Sequence, residues 1–141
     1  MTLRRKPDER VEVLSGVPFF ECFDRAELRR VVDMSDEVQV GAGTVVVDQG
    51  DPGTECFVIV DGTASVYVRG EFVASSGPGS MVGEMALVDH RPRTATVVAD
   101  TDLDLLRFDS HAFTKLLDEM PKASEHILTG LRARLDRLGT A

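Results

Sequence analysis

Tryptophan is absent from this sequence, cysteine occurs twice, histidine three times, and aromatic residues make up only 6% of the chain. Cys22 and Cys56 form no CxxC pair and no multi-cysteine framework. That excludes a disulfide scaffold and indicates no zinc site, so both thiols are expected reduced, Cys56 as a small core residue. His90, His111 and His126 share no HxH or HExxH spacing, so the usual catalytic metal motifs are missing and no metal is expected. No apolar run approaches the ~18 residues of a membrane-spanning helix. The N-terminal "MTLRRKPDER" is basic without the apolar segment of a secretion signal. The chain is expected in the cytoplasm, with no membrane partner.

Positive charge is also scarce: 16 Lys and Arg stand against 24 Asp and Glu, for a formal net charge of -8 and a pI near 4.8. Gripping a polyanion takes clustered Lys and Arg, so nucleic acid is not expected as a partner. A small monoanion is compatible with this field, because one arginine and a few backbone N–H groups dominate locally where salt screens beyond about 10 Å. A helix-turn-helix module would need roughly 60 residues after Leu138, and none is expected here. Ser75, Ser76 and Ser80 lie in a glycine-rich loop with no GxSxG elbow. Asp100, Asp102 and Asp104 alternate without the glycine and terminal glutamate of a calcium loop, and read as a solvated strand edge. No enzyme and no cofactor is indicated.

What is present is a chain of 141 residues, 43% hydrophobic, the size of one compact domain. A polar tail is expected over residues 1–10 and a single domain over 11–141. "DERVEVLSGVPFF" predicts a short helix closed near Gly16 and Pro18. "DRAELRRVVDM" predicts another over about 24–34, with Asp24 as N-cap, Glu27 completing a capping box, and Leu28, Val31 and Val32 on the buried face. From Asp36 onward short apolar runs alternate with glycine: "VQVGAG", "TVVVDQGDPG", "ECFVIVDG", "TASVYVRG", "EFVASSGPG", "TATVVAD", "LDLLRFD". These read as strands, with Asp61-Gly62 as a tight hairpin turn. Ser110 is the expected N-cap of a helix carrying Phe113, Leu116, Leu117 and Met120, which Pro121 ends or kinks. A final helix carries Leu128, Leu131, Leu135 and Leu138 in one stripe. The fold class is therefore mainly β (α+β): a β jelly roll with short N-terminal helices and C-terminal helices.

One stretch, "GSMVGEMALVDHRPRTATV", places turn residues, an acid and two arginines together. "GEMAL" can form a helical turn whose free N–H groups attract an anion, and Gly83 lets a ligand approach the backbone. Arg93, entering the strand after Thr94, can meet the same anion with a charge-assisted hydrogen bond. Glu84 cannot serve an anion but accepts from a hydroxyl, so a sugar phosphate satisfies both. A surface ion pair between Arg93 and Glu84 satisfies the same residues.

"GEMALVDHRPRTATV" resembles the phosphate-binding cassette of cyclic nucleotide-binding domains, the family of cAMP- and cGMP-dependent kinase regulatory regions, nucleotide-gated channels and bacterial catabolite activators. "PFFECFDRAEL" and "VVVDQGDPGTECFVIVDGTASVYV" carry the similarity from about Val11 to Leu138. The resemblance implies that Arg93, which follows Pro92, pairs with the cyclic phosphate. Gly83 with the backbone around Met85, Ala86 and Leu87 would cradle it, and Glu84 would accept from the ribose 2′-hydroxyl. Arg91 is implied to be a solvated residue. Thr94 and Ala95 follow the arginine: "PRTAT" resembles sites that prefer cGMP, whereas the bacterial-style ligand is cAMP, and both ligands stay open.

Ile127, Leu128 and Leu131 are candidates to cover the base, although such a stripe also serves as core or dimer seam. The function implied is a non-catalytic regulatory module that binds cAMP or cGMP and signals through its C-terminal helices to a protein effector or a homo-dimer partner. The alternative is an interaction module of the same fold without nucleotide affinity. Intact Gly83, Glu84 and Arg93 argue against it.

Overall fold

The computed structural model describes residues 5–84 and 93–139, with 131–139 as helix backbone only. Helix α1 (Pro7–Ser15) starts with proline at its first position, where a missing N–H costs nothing, and closes at Gly16. A 3-10 turn at Pro18–Phe20 leads to α2 (Arg25–Asp33). The predicted capping box is formed there. Glu27 N–H donates to the Asp24 carboxylate at 2.8 Å, and Asp24 N–H donates to Glu27 Oε1 at 3.0 Å. Such a cap stabilises a helix by about 1 kcal/mol. Leu28, Val31 and Val32 are its buried face, as the spacing predicts.

Among the described residues, eight strands follow: β1 (Ser35–Val40), β2 (Val45–Val47), β3 (Glu55–Asp61), β4 (Ala64–Val68), β5 (Glu71–Ser76), β6 (Met81–Val82), β7 (Thr96–Ala99) and β8 (Leu103–Asp109). They form two antiparallel four-stranded sheets, ordered β1-β8-β3-β6 and β2-β7-β4-β5. Alternation along β3 explains how these layers stack. Phe57 and Ile59 join Leu103, Leu105, Val82 and Val97 between the sheets, whereas Cys56 and Val58 join Leu106 and Phe108 on the opposite face. That opposite face is covered by the helices, so β3 and β8 are buried on both sides and read as nearly continuous apolar runs.

The helix-side core is aromatic. Phe20 packs edge-on against Phe19 and Phe23 with ring centroids 5.0 and 5.1 Å apart, and Phe113 meets it at 6.1 Å. This is how "PFFECF" anchors the N-terminal segment to α3 (Ser110–Leu117) and α4 (Pro121–Gly139). Among the described residues, no helix is long and apolar enough to cross a membrane.

Three local readings are corrected. Asp61-Gly62 is not a hairpin: β3 pairs with β8 and β6, β4 with β7 and β5, so the turn crosses between sheets. Gly62 is still required there. At φ +95°, a Cβ would lie 2.8 Å from both Leu103 Cδ2 and Thr101 Oγ1. The tight hairpin is Arg69-Gly70, with φ +53° and +80°, joining Val68 to Glu71 in register. The N-cap of α3 is Asp109, whose carboxylate accepts from Ala112 N–H at 2.9 Å, because the helix starts at Ser110, one residue earlier than expected. Ser110 is buried inside the helix and its hydroxyl donates to Gly53 O at 3.2 Å. Finally, Asp104 is no solvated edge residue: it is buried and pairs with Arg5, which also reaches Glu37 at 3.4 Å.

Candidate functional site

The site forms where the end of β6 meets the segment entering β7. Gly83 follows β6 directly and takes φ +83°, a conformation that a side chain disfavours. That turn aims the Gly83 carbonyl at Arg93, whose Nη1 donates to it at 3.3 Å, while Nη2 donates to the Glu55 carbonyl at the start of β3. The arginine's own backbone is fixed by two bonds to the turn after β2. Arg93 N–H donates to Asp51 O at 2.8 Å, and Gly50 N–H donates to Arg93 O at 2.9 Å. Thr96 secures the same turn: its hydroxyl donates to Asp48 Oδ1 and accepts from Gln49 N–H, both at 2.9 Å.

Arg93 stands at one wall of a cleft of about 410 Å³, whose other walls are Val45, Val46 and Val47 of β2, the 48–55 turn and Phe57. A cleft of this size suits one small organic ligand. Gly83 is needed for the guanidinium to be there, since a Cβ would overlap Arg93 Nη1 and sit 3.0 Å from Glu55 O.

Burial lowers the Arg93 pKa from its ordinary value, opposed by the nearby Cys56, Glu55, Glu84 and Asp51. An arginine so placed remains a cation. Among the described residues, the Gly83 and Glu55 main-chain carbonyls accept from its guanidinium. Glu84 is buried, 7% exposed, directly beside Gly83. Cys56 lies close enough to feel both Arg93 and Glu84, yet burial dominates and pushes its thiol up to about 12. The arrangement presents one half-buried cation and one buried carboxylate at adjacent points. It can hold a ligand that joins an anion to a hydroxyl.

Gly83, Glu84 and Arg93 are thus brought together, with Thr94 exposed and Ala95 half-buried next to them. Met85, Ala86, Leu87 and Arg91 lie outside the described residues. Ile127 is buried in the helix-side core with Phe20 and Phe113, and Leu128 is half-buried in a separate groove with Leu117 and Pro121. Neither lines the Arg93 cleft. The side chain of Leu131 is outside the described set. Sequence reasoning missed Asp51 and Glu55, which hold the arginine through backbone carbonyls. Only strand pairing reveals such partners, although the "QGDPG" turn marks where the chain must bend.

Fold and site together define a two-sheet β roll with helices on one face and a cleft walled by Arg93. The family model of the cyclic nucleotide-binding domain matches residues 37–120, and the chain belongs to that family. Solved structures agree on the fold. The N-terminal domain of a transcriptional regulator from Streptomyces coelicolor A3(2) is 28% identical with a TM-score of 0.74, covering 92% of this chain and 96% of that one. The sensor domain of the transcriptional regulator DNR from Pseudomonas aeruginosa is 20% identical with a TM-score of 0.82, covering 96% and 95%. A cAMP-bound PfPKA-R, residues 141–441, is 24% identical with a TM-score of 0.78. It matches 95% of this chain, which spans about half, 48%, of that one. The family consists of regulatory binding domains and is generally non-catalytic.

Proposed function

We propose that residues 11–141 act as one cytoplasmic, non-catalytic regulatory module that binds a cyclic nucleotide, cAMP or cGMP, in the Arg93 cleft. The observation that carries this reading is the placement of Arg93: a half-buried guanidinium 3.3 Å from the carbonyl of a left-handed Gly83, beside the buried Glu84. In the bound state Arg93 exchanges a carbonyl for the cyclic phosphate, gaining a charge-assisted bond. Gly83 and the backbone of Met85, Ala86 and Leu87 take the remaining phosphate oxygens, and Glu84 accepts from the ribose 2′-hydroxyl. Thr94, exposed and next to Arg93 in the chain, reads the base.

Signalling follows from differential affinity. Ile127 and Ala123 hold α4 in the helix-side core, so a ligand that prefers another packing of α4 shifts the population toward it. The output passes to a protein effector or a second subunit. Base coverage by Ile127, Leu128 or Leu131 requires that repacking. Calorimetric titration with cAMP, cGMP and the 2′-deoxy form of each tests the assignment. Saturable binding of a ribonucleotide and weak binding of its deoxy counterpart are expected. Absence of heat with both ribonucleotides overturns it in favour of an interaction module.

A further inference from the structure

Far along the chain from the cleft, Glu21, Cys22 and His126 converge on the surface beside α4. Their donor atoms, a carboxylate oxygen, the thiol sulfur and a ring nitrogen, all lie within 4.8 Å of one another. Glu21 Oε1 and His126 Nε2 already stand 2.9 Å apart. In a tetrahedral zinc shell with bonds of 2.0 to 2.3 Å, ligand atoms are about 3.3–3.8 Å apart, so small side-chain rotations close the shell.

The backbone that carries these donors is held by the core on both sides. Phe20 and Phe23 flank Glu21 and Cys22 and are buried, and Ala123 and Ile127 bracket His126 and are buried too. The three donors themselves are exposed, so a cation reaches them and water completes the fourth position.

We propose that Glu21, Cys22 and His126 form a zinc(II) site that clasps α4 to the turn before α2. One thiolate, one imidazole and one carboxylate suit the borderline-soft Zn(II) better than the all-oxygen preference of Mg(II) or Ca(II). The two anionic donors neutralise the dication. On binding, the Cys22 thiol releases its proton to solvent and neutral His126 binds through Nε2 in place of its contact with Glu21. The site is independent of the nucleotide cleft. Sequence motifs do not show it, because 105 residues separate Glu21 from His126.

The test uses the reduced full chain titrated with Co(II) and then displaced by Zn(II). One equivalent of cobalt with a near-ultraviolet thiolate-to-cobalt charge-transfer band is expected, and zinc abolishes the band. Cys22→Ser removes the band, and His126→Ala and Glu21→Ala each weaken zinc binding at least about tenfold in chelator competition. All three positions are exposed, so the variants are expected to fold, which circular dichroism of each checks. No thiolate band in the wild-type chain, or wild-type zinc affinity in His126→Ala, overturns the proposal.

Discussion

Replacing Gly83 by alanine tests the site's construction without replacing any proposed ligand-binding side chain. Two costs arise at this position. The left-handed φ of +83° penalises any Cβ by about 1–2 kcal/mol. The new methyl also overlaps Arg93 Nη1 and lies 3.0 Å from Glu55 O, which is main chain and cannot swing away. Moving the guanidinium sacrifices its 3.3 Å bond to Gly83 O, about 1–2 kcal/mol more.

Gly79 supplies the control. It has φ +87°, and a Cβ there meets nothing within 4 Å, so Gly79→Ala carries the backbone cost alone. Urea unfolding followed by circular dichroism, the natural probe for a chain without tryptophan, should therefore show Gly83→Ala less stable than Gly79→Ala by about 1–2 kcal/mol. In the Arg93→Ala background the part of that excess that comes from the guanidinium should vanish, leaving the contact with Glu55 O, as a double-mutant cycle requires of a contact between the two positions. Equal losses for Gly83→Ala and Gly79→Ala would refute the close approach of Arg93 to this turn.

Thr94→Ala should reduce cGMP affinity more than cAMP affinity; parallel titrations with no differential would show that the hydroxyl does not read the base. The two thiols should differ sharply in reactivity. Exposed Cys22 is expected to react with iodoacetamide at pH 8, whereas Cys56, fully buried and pushed up to about 12, carries roughly one thiolate in 10,000 and stays unlabelled until the chain unfolds. The sign extends to stability: the native state keeps a proton that the unfolded chain loses above pH 9.0, so the Cys56 contribution is intact below that pH and disappears as pH rises toward about 12. Equal labelling of both cysteines in native conditions would contradict the packing around β3.

Local chemistry was legible and long-range pairing was not. The Asp24–Glu27 capping box, the glycine-punctuated strands and the helix break at Pro121 depend on neighbours within four residues. Asp61-Gly62 has the right residues for a hairpin but joins strands of different sheets. The alternation that sends Phe57 and Ile59 inward shows only after β8 is known to lie beside β3. Asp104 read as solvated because its partner, Arg5, is 99 residues away. At the site, Gly83, Glu84 and Arg93 stood out by residue type and by family resemblance. Asp51 and Glu55 act through carbonyls that every residue possesses, so composition carries no trace of them. Ile127, named as a candidate to cover the base, is buried in the helix-side core, and helical spacing alone cannot say which core a residue enters.

The central claim is that Arg93 is the phosphate clamp of a cyclic nucleotide site. Isothermal titration of cAMP into the wild-type chain and into Arg93→Ala addresses it most directly. The account predicts measurable, saturable binding to the wild type and a loss of about 2–5 kcal/mol in the variant, the usual cost of removing one partner of a desolvated charge pair. Identical affinities for the two proteins would contradict it.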